Sequence, residues 1–355
     1  METPGDHILI EGTGAAVMAL AKLLGARANT TIWLDEPEPM QGAGLILLLN
    51  SATLALLDEV FSLRASVEQS AHAIFRQLTP WGRPRETEDA APALAIEAAS
   101  LHRLMWEATV GPALRVNRRP GMNCTWEIEA RDAGTAPRDD LLKAGQRVGL
   151  QCSVKLLSCP SHVSTLEDLA GGWLRLLPLG GDRAVLQAVV PNIWDTAPHT
   201  TLRSLLSRSR HIAPLVDRLT GPARQFPVAP TFHSEPARRR DLFVGNAALK
   251  QDPLCGNETE QSLRSGILAA ATINAASELP DERDGLLDHY RMRLTKAFRT
   301  HLKACVDFYG SSRHPNIWQH EASAMQTALK AVDHTDRLEP EPPFRLNGFR
   351  LERSG

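Results

Sequence analysis

Paired cysteines, long apolar runs and an excess of either charge are all missing from this sequence. Its five cysteines, Cys124, Cys152, Cys159, Cys255 and Cys305, are an odd number with no CxxC spacing. That argues against both a disulfide framework and a zinc site. His-pair and carboxylate ligand spacings are absent too, so no metal is expected. The longest notable apolar run, Leu45-Ile46-Leu47-Leu48-Leu49, falls far short of the roughly 20 residues a membrane helix needs. A formal net charge of -2 gives no electrostatic reason to expect nucleic acid, and Arg238-Arg239-Arg240 reads as a solvated loop before a strand. The start, METPGDH, has no basic n-region and no small-residue cleavage site, which points to a cytoplasmic protein. No GxSxG or Ser/His/Asp pattern suggests a hydrolase, and there is no internal repeat or low-complexity segment.

What is present fits an ordinary soluble globular protein. A chain of 355 residues, 43% hydrophobic, can bury one large core or two ordinary ones. His7 to Glu11 reads as an apolar strand, followed by Gly12-Thr13-Gly14-Ala15-Ala16-Val17, a helix over 18–27 and a second strand over 30–34 ending at Asp35-Glu36. Strand, glycine turn, helix, strand and acid is the order of a dinucleotide-binding βαβ unit. Gly12 makes the tight turn, and Gly14 lets a pyrophosphate approach the backbone. The helix start at Ala15 and Ala16 offers free N–H groups and the positive end of the dipole. Asp35 or Glu36 lies about 20 residues on, where an acid can accept the ribose hydroxyls. A purely structural glycine turn is the plain alternative.

Further along, the pattern predicts a helix over 51–61 capped by Ser51, a helix over 100–109, and strands over 124–130 and 146–157. Strands on either side of Gly180-Gly181-Asp182 form a hairpin. Residues 200–219 read as mostly helical. A last helical region spans 281–332 and gives way to a Pro-rich polar tail. The expected organisation is a nucleotide domain of residues 1–75, 97–150 and 230–280, interrupted by a sheet-bearing domain of 76–96 and 151–229. Helices over 281–335 and a tail over 336–355 complete it.

Residues 243–276 carry the most specific signal. A strand end and a turn at Gly245-Asn246 precede a loop, Asp252-Pro253-Leu254-Cys255-Gly256, and then a long helix. Asn257 is the candidate cap, and Glu258 and Glu260 suit the positive end of the helix. Ser262, Ser265, Gly266, Ala269 and Ala270 keep one face small.

The glycine turn with its acid, the central GGWLRLLPLGG, and above all GNAALKQDPLCG followed by QSLRSGILAA, resemble the FAD-dependent monooxygenase and halogenase superfamily. Within it the chain is similar to a short, halogenase-like branch that includes flavoprotein maturases of tryptophylquinone enzymes. The resemblance implies an α/β fold: a Rossmann-like FAD-binding domain, an interrupting β-sheet substrate domain and a C-terminal helical region. It implies FAD as cofactor, held by Gly12, Gly14, Ala15, Ala16, Asp35, Glu36, Asn246, Asp252, Pro253, Gly256 and Asn257. Asn246 stands where relatives carry aspartate, and Val17 replaces the third glycine. The implied activity is hydroxylation of an aromatic group, with a tryptophan side chain of a partner polypeptide as one candidate substrate. NAD(P)H or a reductase would supply electrons. Two other readings stay open: a non-catalytic adaptor on the same fold, and a halogenase, although the WxWxIP motif of tryptophan halogenases is missing. No general base stands out, since His102, His162, His199, His211 and His233 are isolated. Cys255 reads as a small filler, and Trp81 and Trp173 as either substrate-facing or core.

Overall fold

The structure is a computed structural model that describes residues 6–27, 29–34, 44–81, 92–111, 113–116, 124–131, 140–157, 162–191, 197–336 and 344–353. Its helices are α1 Ala15–Leu24, α2 Ser51–Phe61, α3 Arg64–Ser70, α4 Ala98–Thr109, α5 Pro198–Arg208, α6 Glu258–Glu278, α7 Arg283–Gly310 and α8 Pro315–Asp336. No helix among the described residues is long and apolar enough to cross a membrane.

One six-stranded sheet is built around Asp6–Glu11. This strand runs parallel to Thr30–Leu34 on one side and to Trp126–Glu129 on the other. Its register sets Ile8 between Ile32 and Trp126, and Ile10 between Leu34 and Ile128. A strand with a parallel neighbour on each side must bury both faces, which is why Ile8, Leu9 and Ile10 form an unbroken apolar run. Leu114–Val116 and Asp241–Phe243 extend the parallel arrangement, and Ala237–Arg238 closes one edge antiparallel. Helix α1 begins at Ala15, directly after the glycine turn and three residues earlier than expected. It lies against α6 so closely that a Cβ on Gly266 would come within 2.2 Å of the Ala16 carbonyl oxygen. The two motif-bearing helices therefore pack backbone to backbone.

The second six-stranded sheet is ordered Val216–Pro227, Arg147–Leu156, Arg183–Pro191, Gly172–Pro178, Val163–Leu169 and Arg76–Leu78. The predicted hairpin is its centre, pairing Trp173 with Val189 and Leu176 with Leu186. Period-two alternation divides the hairpin's residues. Leu174, Leu176 and Leu186 pack beneath α5 in a core of their own, while Trp173 and Val189 join the main core. Arg175 lies between Trp173 and Leu177 and so shares the face of Trp173. Strand Arg147–Leu156 runs past residue 150, where the sequence suggested a domain boundary.

Four expectations need correction. The cap of α2 is Asn50, whose side chain accepts from the Thr53 N–H at 2.8 Å, and Ser51 is already helical. The helical reading of 200–219 holds only to Arg208; Val216–Pro227 is a strand paired antiparallel with Arg147–Leu156. Tertiary pairing overrides local propensity there, and the strand's Gly221 takes φ +88 where the ladder is irregular. The last helical region is two helices, α7 and α8. The tail contains a hairpin, Phe344–Asn347 with Arg350–Arg353, turned at Gly348-Phe349 and anchored by buried Phe344 and Leu351.

Candidate functional site

At the C-terminal end of strand Asp6–Glu11 the chain turns through two glycines with positive φ, +109 at Gly12 and +112 at Gly14. They serve different needs. A Cβ on Gly12 would meet the Arg131 backbone nitrogen at 2.7 Å, so the fold itself requires glycine. Around Gly14 nothing lies within 4 Å of the Cβ position, and the turn opens there onto free space. Helix α1 starts at that opening with no side-chain cap and no acid in its first turn. Its first N–H groups and the positive end of its dipole are left for an anion.

The late motif closes on the same place. Gly245 brings the turn of residues 245–247 against α1, its Cβ position 3.1 Å from Ala16 Cβ, while its N–H donates to Ser265 Oγ of α6 at 2.8 Å. Asn246 next to it is exposed and lines a cavity of about 360 Å³. Trp173, Arg175, Gln187, Gly256 and Glu258 share that lining, and apolar side chains of residues 45–48 and Phe226 shape the rest. The glycine cradle and the cavity thus adjoin, with Gly245-Asn246 between them.

Arg175, Lys250 and Glu258 are the ionisable groups of the cavity lining, and two of them are shifted by burial. Arg175 is buried, donates to the Leu254 carbonyl at 3.4 Å and lies over the Trp173 ring at 5.4 Å. Burial pulls its pKa down, against the pull of Glu258 and Asp252. Burial lifts the Glu258 carboxyl from its ordinary 4.5 to about 7, with its own N–H and Arg175 pulling the other way. Glu258 therefore holds a proton more tightly when folded than when unfolded. The stability this contributes is whole below about 4.5 and is lost as pH rises through about 7. Glu258→Gln is expected to flatten that part of the profile, measured as Tm between roughly pH 5 and 8. An unchanged slope would show that the carboxyl titrates in water.

Behind the cavity wall lies a buried charge network. Arg147 donates through Nε to Asp252 at 2.8 Å and through Nη1 to Glu321 at 2.7 Å, and its guanidinium lies 5.0 Å from the Tyr309 ring centre. The Tyr309 hydroxyl donates to Asp252 at 3.0 Å and accepts from the Trp173 indole N–H at 3.3 Å. Asp252 also accepts the Leu254 N–H at 2.9 Å, and its own N–H donates to His301 Nε2 at 2.8 Å. Both carboxylate oxygens of Asp252 thus have partners inside the chain. The side chain is an anchor from which Pro253 and Gly256 are presented to the cavity.

Of the predicted residues, Asn246, Pro253 and Gly256 line the cavity, Ala16 packs against Gly245 next to Asn246, and Gly12, Gly14 and Ala15 form the turn and helix start that lead to Ala16. Asp35 and Glu36 lie outside the described residues. Asn257 occupies the cap position of α6 but makes no capping bond; its Oδ1 is buried without a partner, as is Gln251 Oε1 on the same cavity. Buried polar atoms left open beside a free helix start and a glycine cradle fit a ligand with phosphates at one end and a polar ring at the other, as FAD has. Trp173 is both core and cavity lining. Trp81 is packing, with its indole N–H donating to the Phe308 carbonyl at 3.0 Å. Arg147, Tyr309, Glu321, His301 and Cys305 were not anticipated; they come from strands and helices remote in sequence, and no local motif marks them.

No protein-family model and no curated protein matches the chain. Solved structures do. The peptidyl tryptophan dihydroxylase QhpG, essential for tryptophylquinone cofactor biogenesis, superposes with a TM-score of 0.75 at 18% identity, covering 91% of this chain and 79% of QhpG. The myxobacterial chondrochloren halogenase CndH, an FAD-dependent halogenase, gives 0.72 at 16% identity over 95% of this chain and 92% of its own. PqsL of Pseudomonas aeruginosa, a probable FAD-dependent monooxygenase, gives 0.65 at 15% over 93% and 100%. The chain has the fold of the FAD-dependent monooxygenases and halogenases.

Proposed function

We propose that the chain is an FAD-dependent monooxygenase that hydroxylates an aromatic ring, with a tryptophan side chain of a partner polypeptide as the favoured substrate. The observation that carries this reading is the junction of an open glycine cradle with an apolar cavity of about 360 Å³. Small-molecule sites begin at about that size. The likeness to QhpG, a peptidyl tryptophan dihydroxylase, supports the choice of substrate. Gly12, Gly14 and the start of α1 would hold the pyrophosphate, and Asn246 would reach the ribityl hydroxyls. Gly256, Asn257 and the N-terminus of α6 would face the flavin ring and favour negative charge there.

Bound flavin supplies oxygen activation and transfer of one oxygen atom to an electron-rich ring. The chain's own residues do the rest. Apolar side chains of residues 45–48 and Phe226 exclude water. Trp173, 1% exposed, backs the cavity wall from the core, and Arg175 bridges it to the Asp-Pro loop by lying over its ring and donating to the Leu254 carbonyl. Glu258, protonated up to about neutrality, is the cavity group able to give or take a proton. The electron donor is NAD(P)H or a reductase.

The test is reconstitution followed by mass spectrometry. Protein loaded with FAD should be yellow, with bands at roughly 370 and 450 nm. With reductant and air it should add oxygen to a tryptophan of a candidate partner peptide. Protein that stays colourless in excess FAD would instead support the adaptor. Lys250 on the cavity wall favours halogenation as a second reading, decided by whether product formation depends on added chloride or bromide.

A further inference from the structure

Under the Asp-Pro loop sits a cluster that the proposed chemistry does not use. Cys255 Sγ, a His301 ring nitrogen and Cys305 Sγ all lie within 4.8 Å of one another. His301 and Cys305 are four residues apart on α7, on one face and buried, whereas Cys255 is exposed at the loop tip. Two thiols and an imidazole are a zinc-type donor set. His301 Nε2, however, already accepts the Asp252 N–H at 2.8 Å with its single lone pair. Metal ligation through that nitrogen would leave the buried Asp252 N–H unpaired. The cluster is better suited to thiol chemistry: an accessible sulfur, a buried second sulfur beside it, and an imidazole 3.4 Å from Cys305 Sγ.

We propose that Cys255 and Cys305 form a peroxide-reactive thiol pair, with Cys255 as the attacking sulfur and Cys305 as the resolving one. In the first step Cys255 sulfur attacks hydrogen peroxide; an S–O bond forms, the O–O bond breaks, and hydroxide leaves as water with the thiol proton. In the second step Cys305 sulfur attacks Cys255 sulfur, the S–S bond forms and the S–O bond breaks, releasing a second water. The two thiols lose two electrons and the peroxide gains them. The loop tip can make the approach because its own bonds are long, 3.4 Å for Cys255 N–H to Asp252 O and 3.3 Å for Gly256 N–H to Pro253 O. The Cys255 thiol is lowered to about 5, chiefly by hydrogen bonding from Cys305 and against burial, while the same bond and burial raise the Cys305 thiol, so Cys305 keeps its proton until Cys255 is oxidised. A disulfide would tie the loop to α7 and draw Gly256 and Glu258 with it, reshaping the cavity wall.

The experiment uses reduced, full-length protein treated with hydrogen peroxide and mapped by peptide mass spectrometry without reductant. A Cys255–Cys305 cross-link, lighter by two hydrogens and reversed by dithiothreitol, is expected. Cys305→Ser should trap Cys255 as a dimedone-reactive sulfenic acid, and Cys255→Ser should leave Cys305 unmodified. Iodoacetamide should alkylate Cys255 at a rate nearly flat between about pH 6 and 8, where an ordinary thiol speeds up about tenfold per unit. A Cys255 that stays a free thiol in peroxide would overturn the proposal, as would cross-linking only between copies or one zinc retained per chain and released by chelator. None of these readouts involves flavin, so the proposal and the monooxygenase reading can fail separately.

Discussion

Replacing Arg147 by methionine is expected to destabilise the protein by about 3–5 kcal/mol, read as a large drop in urea midpoint. The guanidinium is fully buried between Asp252 and Glu321, whose side chains are 0% and 3% exposed. Methionine fills much of the volume but leaves two buried carboxylates without their cation. Surface pairs give the contrast: Lys155 with Asp182 at 3.1 Å is exposed on both sides, and Lys155→Ala should leave the urea midpoint almost unchanged. If the cost at Arg147 comes from orphaned charge, then Arg147→Met combined with Asp252→Asn and Glu321→Gln should recover a large part of it. A triple variant no more stable than the single one would place the cost in packing instead. The Arg147 variant should also lose ligand affinity, because Asp252 anchors the loop that presents Pro253 and Gly256 to the cavity.

The parts of this arrangement differ in how far they can be read from the chain. Gly12, Gly14 and the Asp252-Pro253 loop are local patterns whose spacing reflects backbone geometry, and they point to the candidate site without a structure. The central hairpin is legible for the same reason, since Gly180-Gly181-Asp182 is turn chemistry between two apolar runs. The Arg147 network is not. Its members come from a strand at 147, a loop at 252 and helices at 309 and 321, so only the folded topology brings them together. The thiol cluster is hidden likewise: His301 and Cys305 are one helical turn apart, but nothing nearby in sequence points to Cys255. The first residues of strand Val216–Pro227, up to Leu219, read locally as helix, but their partner Arg147–Leu156, some 70 residues away, outweighs that preference. Asn50 displaced Ser51 as a cap by a single residue, a shift that only the bond to Thr53 N–H decides.

Gly14→Glu should weaken FAD binding by about 100-fold or more while leaving the protein folded. Gly12 would be the wrong position for this test, because any side chain there collides with the Arg131 backbone at 2.7 Å and unfolding would mask the ligand effect. At Gly14 the Cβ position is open, so a side chain meets no protein atom. The cost to the fold is the φ of +112, a conformation worth about 1–3 kcal/mol of strain for a residue with a Cβ. A carboxylate at the start of α1 returns about 0.3–1 kcal/mol through the helix dipole. That same gain is what defeats the ligand. The glutamate takes the free N–H groups and sets a negative charge where the pyrophosphate would lie. Gly14→Ala separates the two contributions: it carries the same backbone strain without charge, and its affinity should fall by no more than about tenfold. Melting curves check the fold, and bound flavin after gel filtration gives the affinity ranking. Equal flavin retention by the folded glutamate variant and the wild-type protein would remove the pyrophosphate from α1, and with it the assignment of the cradle. A deficit in the glutamate variant that is absent in the alanine one would show that the opening at Gly14 is reserved for an anion.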